Sequence, residues 1–230
     1  ARIRLSIPRG QLGKLSAEAK LSLGGKTVWS QKMHADKFTL SPNGIRIKDA
    51  KLWWPRGYGE SPLYSLEVRL ISPDGKILDS KTRNVGLRTV GLERSDVFKN
   101  GDKGKFEFRV NGRKIYIKGT NWTPLDALHS RDPQHLKKAL EMAADLNCNM
   151  LRCWGGNVYE SDAFYDFCDE NGILVWQDFS LACTTPPQDD AFAKAMEEEA
   201  RSVVERLRGH PCVALWAGAV SYTHLRAHET

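Results

Sequence analysis

Apolar and polar residues alternate along residues 1–95, whereas from Ile117 onward short apolar runs are separated by stretches with helical spacing. Segments Ala19-Lys20-Leu21-Ser22-Leu23, Phe38-Thr39-Leu40, Ile45-Arg46-Ile47 and Leu66-Glu67-Val68-Arg69-Leu70 place their apolar side chains on one face of an extended strand. Gly24-Gly25, Pro42-Asn43-Gly44 and Pro73-Asp74-Gly75 are the turn signals between them. Short strands in series, with no helix between, predict a β-sandwich of immunoglobulin type over residues 1–95. The polar, Gly-bearing stretch between Arg94 and Phe106 reads as a domain boundary. A hairpin is expected next, from Phe106 to Val110 and from Lys114 to Ile117 around Asn111-Gly112.

The second half reads as strands alternating with helices. Strands are expected at Ile115 to Trp122, Met150 to Trp154, Ile173 to Asp178 and Val213 to Trp216, and helices at Pro133 to Leu146, Ser161 to Asn171 and Asp190 to Leu207. Asp132-Pro133 marks one helix start, Ser161 is a candidate N-cap for the next, and Asn171-Gly172 is a stop. Four strands alternating with three helices make half of a (β/α) barrel or one open doubly wound sheet. In either fold the loops after the carboxyl ends of the strands line the site. Arg152, Trp154, Trp176 and Asp178 fall at two neighbouring strand ends and predict a pocket for a polar ligand.

Composition narrows the function classes. The net charge is +6, but Lys and Arg are interspersed with acids and no nucleic-acid motif accompanies them, which argues for a solvated basic surface rather than a nucleic-acid partner. No apolar run reaches the roughly 20 residues of a membrane span. The five cysteines, Cys148, Cys153, Cys168, Cys183 and Cys212, are odd in number and lack CxxC spacing, so neither a zinc site nor a disulfide framework is expected. No GxGxxG or Walker pattern follows a strand, so nucleotide binding is not expected and no cofactor is called for. Gly155-Gly156 reads instead as a place where backbone approaches a ligand closely.

Each of the four later strands ends near an indole: Trp122, Trp154, Trp176 and Trp216. Were all four to face inward they would form a ring on which pyranoses stack, with Arg152 beside Trp154 and Asp178 beside Trp176 by strand parity. The alternative is that some of these indoles fill the core, and Trp122 is assigned to packing. Asn121 and Asp126 follow the first strand as further candidates, with a turn role open for Asp126.

The motifs LWWPRGYGESPLY (Leu52 to Tyr64), VGLRTVGL (Val85 to Leu92), IKGTNWTPLDAL (Ile117 to Leu128), LRCWGGNVYESDAFYDFCDENGILVWQDF (Leu151 to Phe179) and HPCVALWAG (His210 to Gly218) together resemble glycoside hydrolase family two, and within it the β-mannosidase branch. The resemblance implies an immunoglobulin-like sandwich over 1–95, followed over 105–218 by the first half of a (β/α)8 TIM barrel. It implies a retaining exo-glycosidase acting on β-mannoside oligosaccharides or glycans, without cofactor or metal. The resemblance places Asp178 in the sugar pocket, with a strand-end cap or a partner for Arg152 as its structural alternative. Trp154, Arg152, Asn121 and Trp176, read from the strand ends, complete the substrate-binding candidates, Arg152 being equally open to a buried ion-pair role. A different sugar, as in exo-glucosaminidases or galactosidases, and a non-catalytic carbohydrate-binding module are the alternatives.

Retaining hydrolysis needs two carboxylates about 5 to 5.5 Å apart. Relatives carry the acid/base in an Asn-Glu pair just after the fourth strand, where this chain has Ala219-Val220-Ser221. No catalytic residue is therefore assigned, and residues 219–230 are read as a tail foreign to the fold. His224, His228 and Glu229 within it are not read as a metal site.

Overall fold

The structure, a computed structural model, describes residues 3–95, 104–182 and 185–218. The expected tail lies outside them. Two compact units are present, one of the residues up to Lys51 with Leu63–Val85, the other of Leu52–Pro62 with the residues from Gly86 onward.

In the first unit β1 (Ile3–Arg4) pairs antiparallel with β4 (Thr39–Leu40). A four-stranded antiparallel sheet runs in the order β3-β2-β5-β6, from β2 (Ser16–Leu23), β3 (Lys26–His34), β5 (Tyr64–Ile71) and β6 (Ile77–Val85). The alternation in β2 does what its period requires: Ala17, Ala19 and Leu21 are buried and register with Leu70, Val68 and Leu66 of β5. Gly24 and Gly25 both take positive φ, 56° and 79°, the geometry that turns β2 tightly into β3. Ile45-Arg46-Ile47, expected as a strand, is irregular. Gly44 at φ 58° and Asp49 at φ 52° break the extended backbone on either side of it.

In the second unit β7 (Val90–Arg94), β8 (Phe106–Val110) and β9 (Arg113–Ile115) form an antiparallel sheet. The β8–β9 turn is at the expected place, with Asn111 at φ 50° and Gly112 at φ 79°. A parallel sheet follows in the sequential order β10 (Gly119–Trp122), β11 (Met150–Cys153), β12 (Leu174–Asp178), β13 (Val213–Ala217). Helices α1 (Asp132–Asp145), α2 (Asp162–Asn171) and α3 (Asp190–Leu207) connect these strands. Sequential order throughout is the order of a barrel segment and lacks the reversal of a doubly wound sheet.

Helix boundaries follow local chemistry. Pro133 opens α1 where its missing N–H costs nothing, and Gly172 ends α2 in the left-handed conformation at φ 67°. Ser161 occupies the N-cap position of α2 but its hydroxyl makes no capping bond. The cap that does form is Asp189 on α3, which accepts the Phe192 N–H at 2.8 Å.

The segment Leu52–Pro62 straps onto the second unit. Trp53 is fully buried and donates its indole N–H to the Asp169 carbonyl at 2.7 Å, while the Arg56 N–H reaches the Gly172 carbonyl at 2.7 Å. Arg88 adds bonds to the carbonyls of Pro211 (2.9 Å) and Val213 (2.6 Å). The strap and Arg88 therefore tie the end of α2 and the start of β13 to residues far away in sequence.

Candidate functional site

Strand register decides which side chains share a face. Asn121, Arg152, Trp176 and Leu215 are in register across β10 to β13, and so are Trp122, Cys153, Gln177 and Trp216. The second row belongs to the helix side: Gln177 accepts the Tyr165 hydroxyl of α2 at 2.6 Å, and Trp122 packs on Phe164 with ring centroids 5.1 Å apart. The first row is therefore the inner face. The ring of four indoles does not form, because Trp122 and Trp216 lie one residue out of phase with Trp176 and share Gln177's side of the sheet. Trp216 stacks on Phe179 there, at 5.8 Å.

On the inner face the sequence candidates converge. The guanidinium of Arg152 forks onto Asp178, with Nη2 to Oδ2 at 2.5 Å and Nε to Oδ1 at 3.4 Å, and Nη1 reaches Asn121 Oδ1 at 3.3 Å. Asp178 also accepts the indole N–H of Trp176 at 2.9 Å. The Asp178 side chain is 0% exposed and Arg152 keeps 23%, so the acid is the support and the guanidinium is the group presented. Fork geometry fixes the plane of the cation as well as its position.

An open cleft of about 810 Å³ lies over this face, lined by Phe106, Phe108, Tyr116, Asn121, Arg152 and Trp176 among others. Phe106 stacks on Trp176 at 5.7 Å with 28° between ring planes, so one face of that indole is already covered by the hairpin. Arg152 sits over the same indole, 5.7 Å from its centroid.

The loop after β11 brings Trp154 to the carboxyl edge. A Cβ on Gly156 would lie 2.2 Å from the Trp154 ring, and one on Gly155 would lie 2.5 Å from the Phe179 carbonyl. Both glycines are needed for close approach, but to the protein's own indole and backbone rather than to a ligand. Asp126 takes the turn role, accepting the Leu128 N–H at 2.9 Å.

Two neighbouring residues that sequence reasoning passed over organise this edge. Buried Glu160 accepts the Trp122 indole N–H at 2.9 Å and the Asn157 amide at 3.0 Å, and burial raises its carboxyl pKa above the ordinary value. Tyr159 donates its hydroxyl to Glu199 at 2.7 Å and accepts the Ser180 N–H at 3.1 Å. Neither carries a periodic or spacing signal. Only the three-dimensional meeting of three loops reveals them.

Asp169, His210 and Cys212 bring one donor atom each within 4.8 Å in the core. Their hydrogen bonding is internal: Asp169 accepts His210 Nδ1 at 2.7 Å and the Cys212 N–H at 2.9 Å, and burial drives the Cys212 thiol pKa well up. The carboxylate thus already holds two donors, while His210 Nε2 is buried without a hydrogen-bond partner among the described residues.

Comparison with known proteins gives the same outline. The profile described as glycosyl hydrolases family 2 matches residues 1–88, and that described as glycosyl hydrolases family 2, TIM barrel domain, matches residues 103–226. The beta-mannosidase of Bos taurus is 40% identical over 167 residues, covering 72% of this chain and 19% of its own length. Beta-mannosidase B of Aspergillus niger is 41% identical over 203 residues, 79% of this chain and 23% of that protein. Among solved structures, the β-D-mannosidase of Dictyoglomus thermophilum has a TM-score of 0.80 at 36% identity, covering 89% of this chain and 25% of that one. A β-glucuronidase of Parabacteroides merdae, at 21% identity and TM-score 0.74, shares the fold. The chain thus spans about a fifth to a quarter of the relatives it matches.

Proposed function

This chain belongs to glycosyl hydrolases family 2, with a sandwich followed by a partial TIM barrel, and from that premise we propose that it forms part of a retaining exo-glycosidase that holds a terminal β-D-mannoside. The observation that carries the reading is the Arg152–Asp178 fork beside Asn121 on the inner face of the parallel sheet. A guanidinium has five N–H donors; with three engaged by Asp178 and Asn121, the others remain for sugar hydroxyls. Asp178 supports that cation from behind, Trp154 offers an indole at the edge, and Trp176, backed by Phe106, forms a wall of the cleft.

Retaining hydrolysis places a proton donor and a nucleophile on opposite sides of the scissile bond, about 5 to 5.5 Å apart. The acids at this edge are instead engaged by other partners. Asp178 is committed to Arg152 and Trp176, Glu160 to Trp122 and Asn157 on the helix side, and Asp126 to its turn. On this reading the described residues contribute substrate binding, and the catalytic pair is not assigned to any of them.

The test is a panel of aryl β-D-glycosides offered to a longer protein in which these residues continue into a completed barrel. The β-mannoside is expected to be preferred, and Arg152→Ala to lower kcat/KM by about 10- to 100-fold through loss of charged hydrogen bonds. Preference for a β-glucosaminide or β-galactoside would overturn the sugar assignment.

A further inference from the structure

The carboxyl edge of the parallel sheet is built from loops without regular secondary structure. Glycines at 155 and 156 leave the turn after β11 without side chains, and the segment from Phe179 to Ala182 leaves β12 without regular structure. Loops of this kind sample many conformations unless specific bonds hold them. Two bonded chains converge here, and both start from the adjacent residues Tyr159 and Glu160.

From Glu160 the carboxylate reaches back to Trp122 at the end of β10 and sideways to Asn157, whose N–H in turn bonds the Trp154 carbonyl at 3.0 Å. The Glu160 carbonyl accepts Arg206 of α3 at 2.9 Å, and the same guanidinium bonds Asp162 at 2.9 Å. From Tyr159 the hydroxyl donates to Glu199 of α3 and accepts from the Ser180 backbone two residues beyond Asp178. Donation to a carboxylate makes the phenol oxygen a better acceptor for that N–H. The dipeptide therefore meets the end of β10, the loop after β11, the loop after β12 and helix α3.

We propose that Tyr159 and Glu160 are positioning residues, a two-armed brace in which Glu160 fixes the loop carrying Trp154 and Tyr159 fixes the loop following Asp178. Neither touches the cleft. Each acts through the residue it holds, Glu160 through Asn157 on the Trp154 turn and Tyr159 through Ser180 on the backbone that leads out of β12. Asn157 is part of the device: its side-chain Nδ2 donates to Glu160 while its side-chain Oδ1 accepts the Val158 N–H at 2.8 Å, which locks the turn just after Gly156. That these loops serve a sugar site rests on the proposed function; that the brace holds them does not.

Backbone hydrogen exchange on the full 230-residue chain separates the two. Tyr159→Phe is expected to speed exchange at Ser180 and Leu181 by about 5- to 10-fold, the worth of one hydrogen bond, with residues 154–158 unaffected. Glu160→Ala is expected to speed exchange at 157 and 158 and at the Trp122 indole, and Glu160→Gln, which keeps an acceptor oxygen, to restore slow exchange. Should Glu160→Ala fail to fold, Asn157→Gly removes the same arm from its other end. Unchanged local exchange, or an acceleration spread evenly over the sheet, would overturn the brace. Adding methyl β-D-mannopyranoside to the unaltered chain tests the sugar reading alone: no change in the Trp154 signals counts against that reading whatever the exchange data show.

Discussion

Arg152, in the middle of β11, and Asp178, the last residue of β12, are joined through two hydrogen bonds, and the carboxylate is wholly enclosed. An enclosed acid is retained at such a place only with a partner, because desolvating an unpaired charge is expensive. Asp178→Ala leaves the guanidinium without that partner, and a loss of about 3 kcal/mol is expected, the lower end for a buried pair since Arg152 keeps some water contact. Urea denaturation checks it. A loss below about 1 kcal/mol is the range of exposed pairs and would contradict the geometry.

Glu160 predicts a pH dependence of stability. Burial lifts its folded-state pKa above the ordinary 4.5, so the folded form binds its proton more tightly than the unfolded chain does. Its contribution is complete below the unfolded value and is lost as pH rises through the folded one. Melting midpoints of the unaltered chain should thus gain on those of Glu160→Gln as pH falls from near neutrality. A melting midpoint of the unaltered chain that falls relative to that of Glu160→Gln on acidification would contradict the assignment.

Cys153, Cys168 and Cys212 are buried and their thiol pKa values are raised well above the ordinary 9.0 by desolvation. The thiolate is the reactive form, so all three should resist iodoacetamide in the folded chain and label fully in denaturant. Peptide mapping reads this directly, and rapid native labelling of any of the three would refute the packing of α2 on the sheet.

Gly172 combines φ 67° with a tight seat, where an added Cβ would lie 2.6 Å from Ser61 Oγ and 2.8 Å from the Arg56 nitrogen. Gly172→Ala strains the backbone and pushes the strap away. A destabilisation of at least about 1 kcal/mol is expected. Trp53→Phe leaves the buried Asp169 carbonyl without its donor and costs about 1 to 3 kcal/mol by the same denaturation assay.

How much of this was legible in the sequence depended on the range of the interaction. Period and turn chemistry are local, so β11 to β13, the three helices, the Asn111-Gly112 hairpin and the Gly172 stop stand where they were expected, while β10, expected from Ile115, begins only at Gly119 because Ile115 ends the hairpin strand β9. Facing was harder. The four indoles look alike in sequence, but a phase difference of one residue puts Trp122 and Trp216 on the helix side, and phase is fixed by register between strands. Ile45 to Ile47 alternates correctly and forms no strand. Strap and brace were invisible for a similar reason: Trp53 meets Asp169 across 116 residues, and Tyr159 meets Glu199 across 40. At the site, Arg152, Asn121, Trp176 and Asp178 were brought together, while the roles of Asp126 and of the two glycines turned out to be internal.

The measurement that bears most directly on the account is release of the aryl group from an aryl β-D-mannoside by the purified 230-residue chain. No turnover above the uncatalysed rate is predicted, since Asp178, Glu160 and Asp126 are all committed to structural partners. Turnover abolished by substituting any one of those acids would contradict it, and would move the catalytic group into the part of the barrel described above.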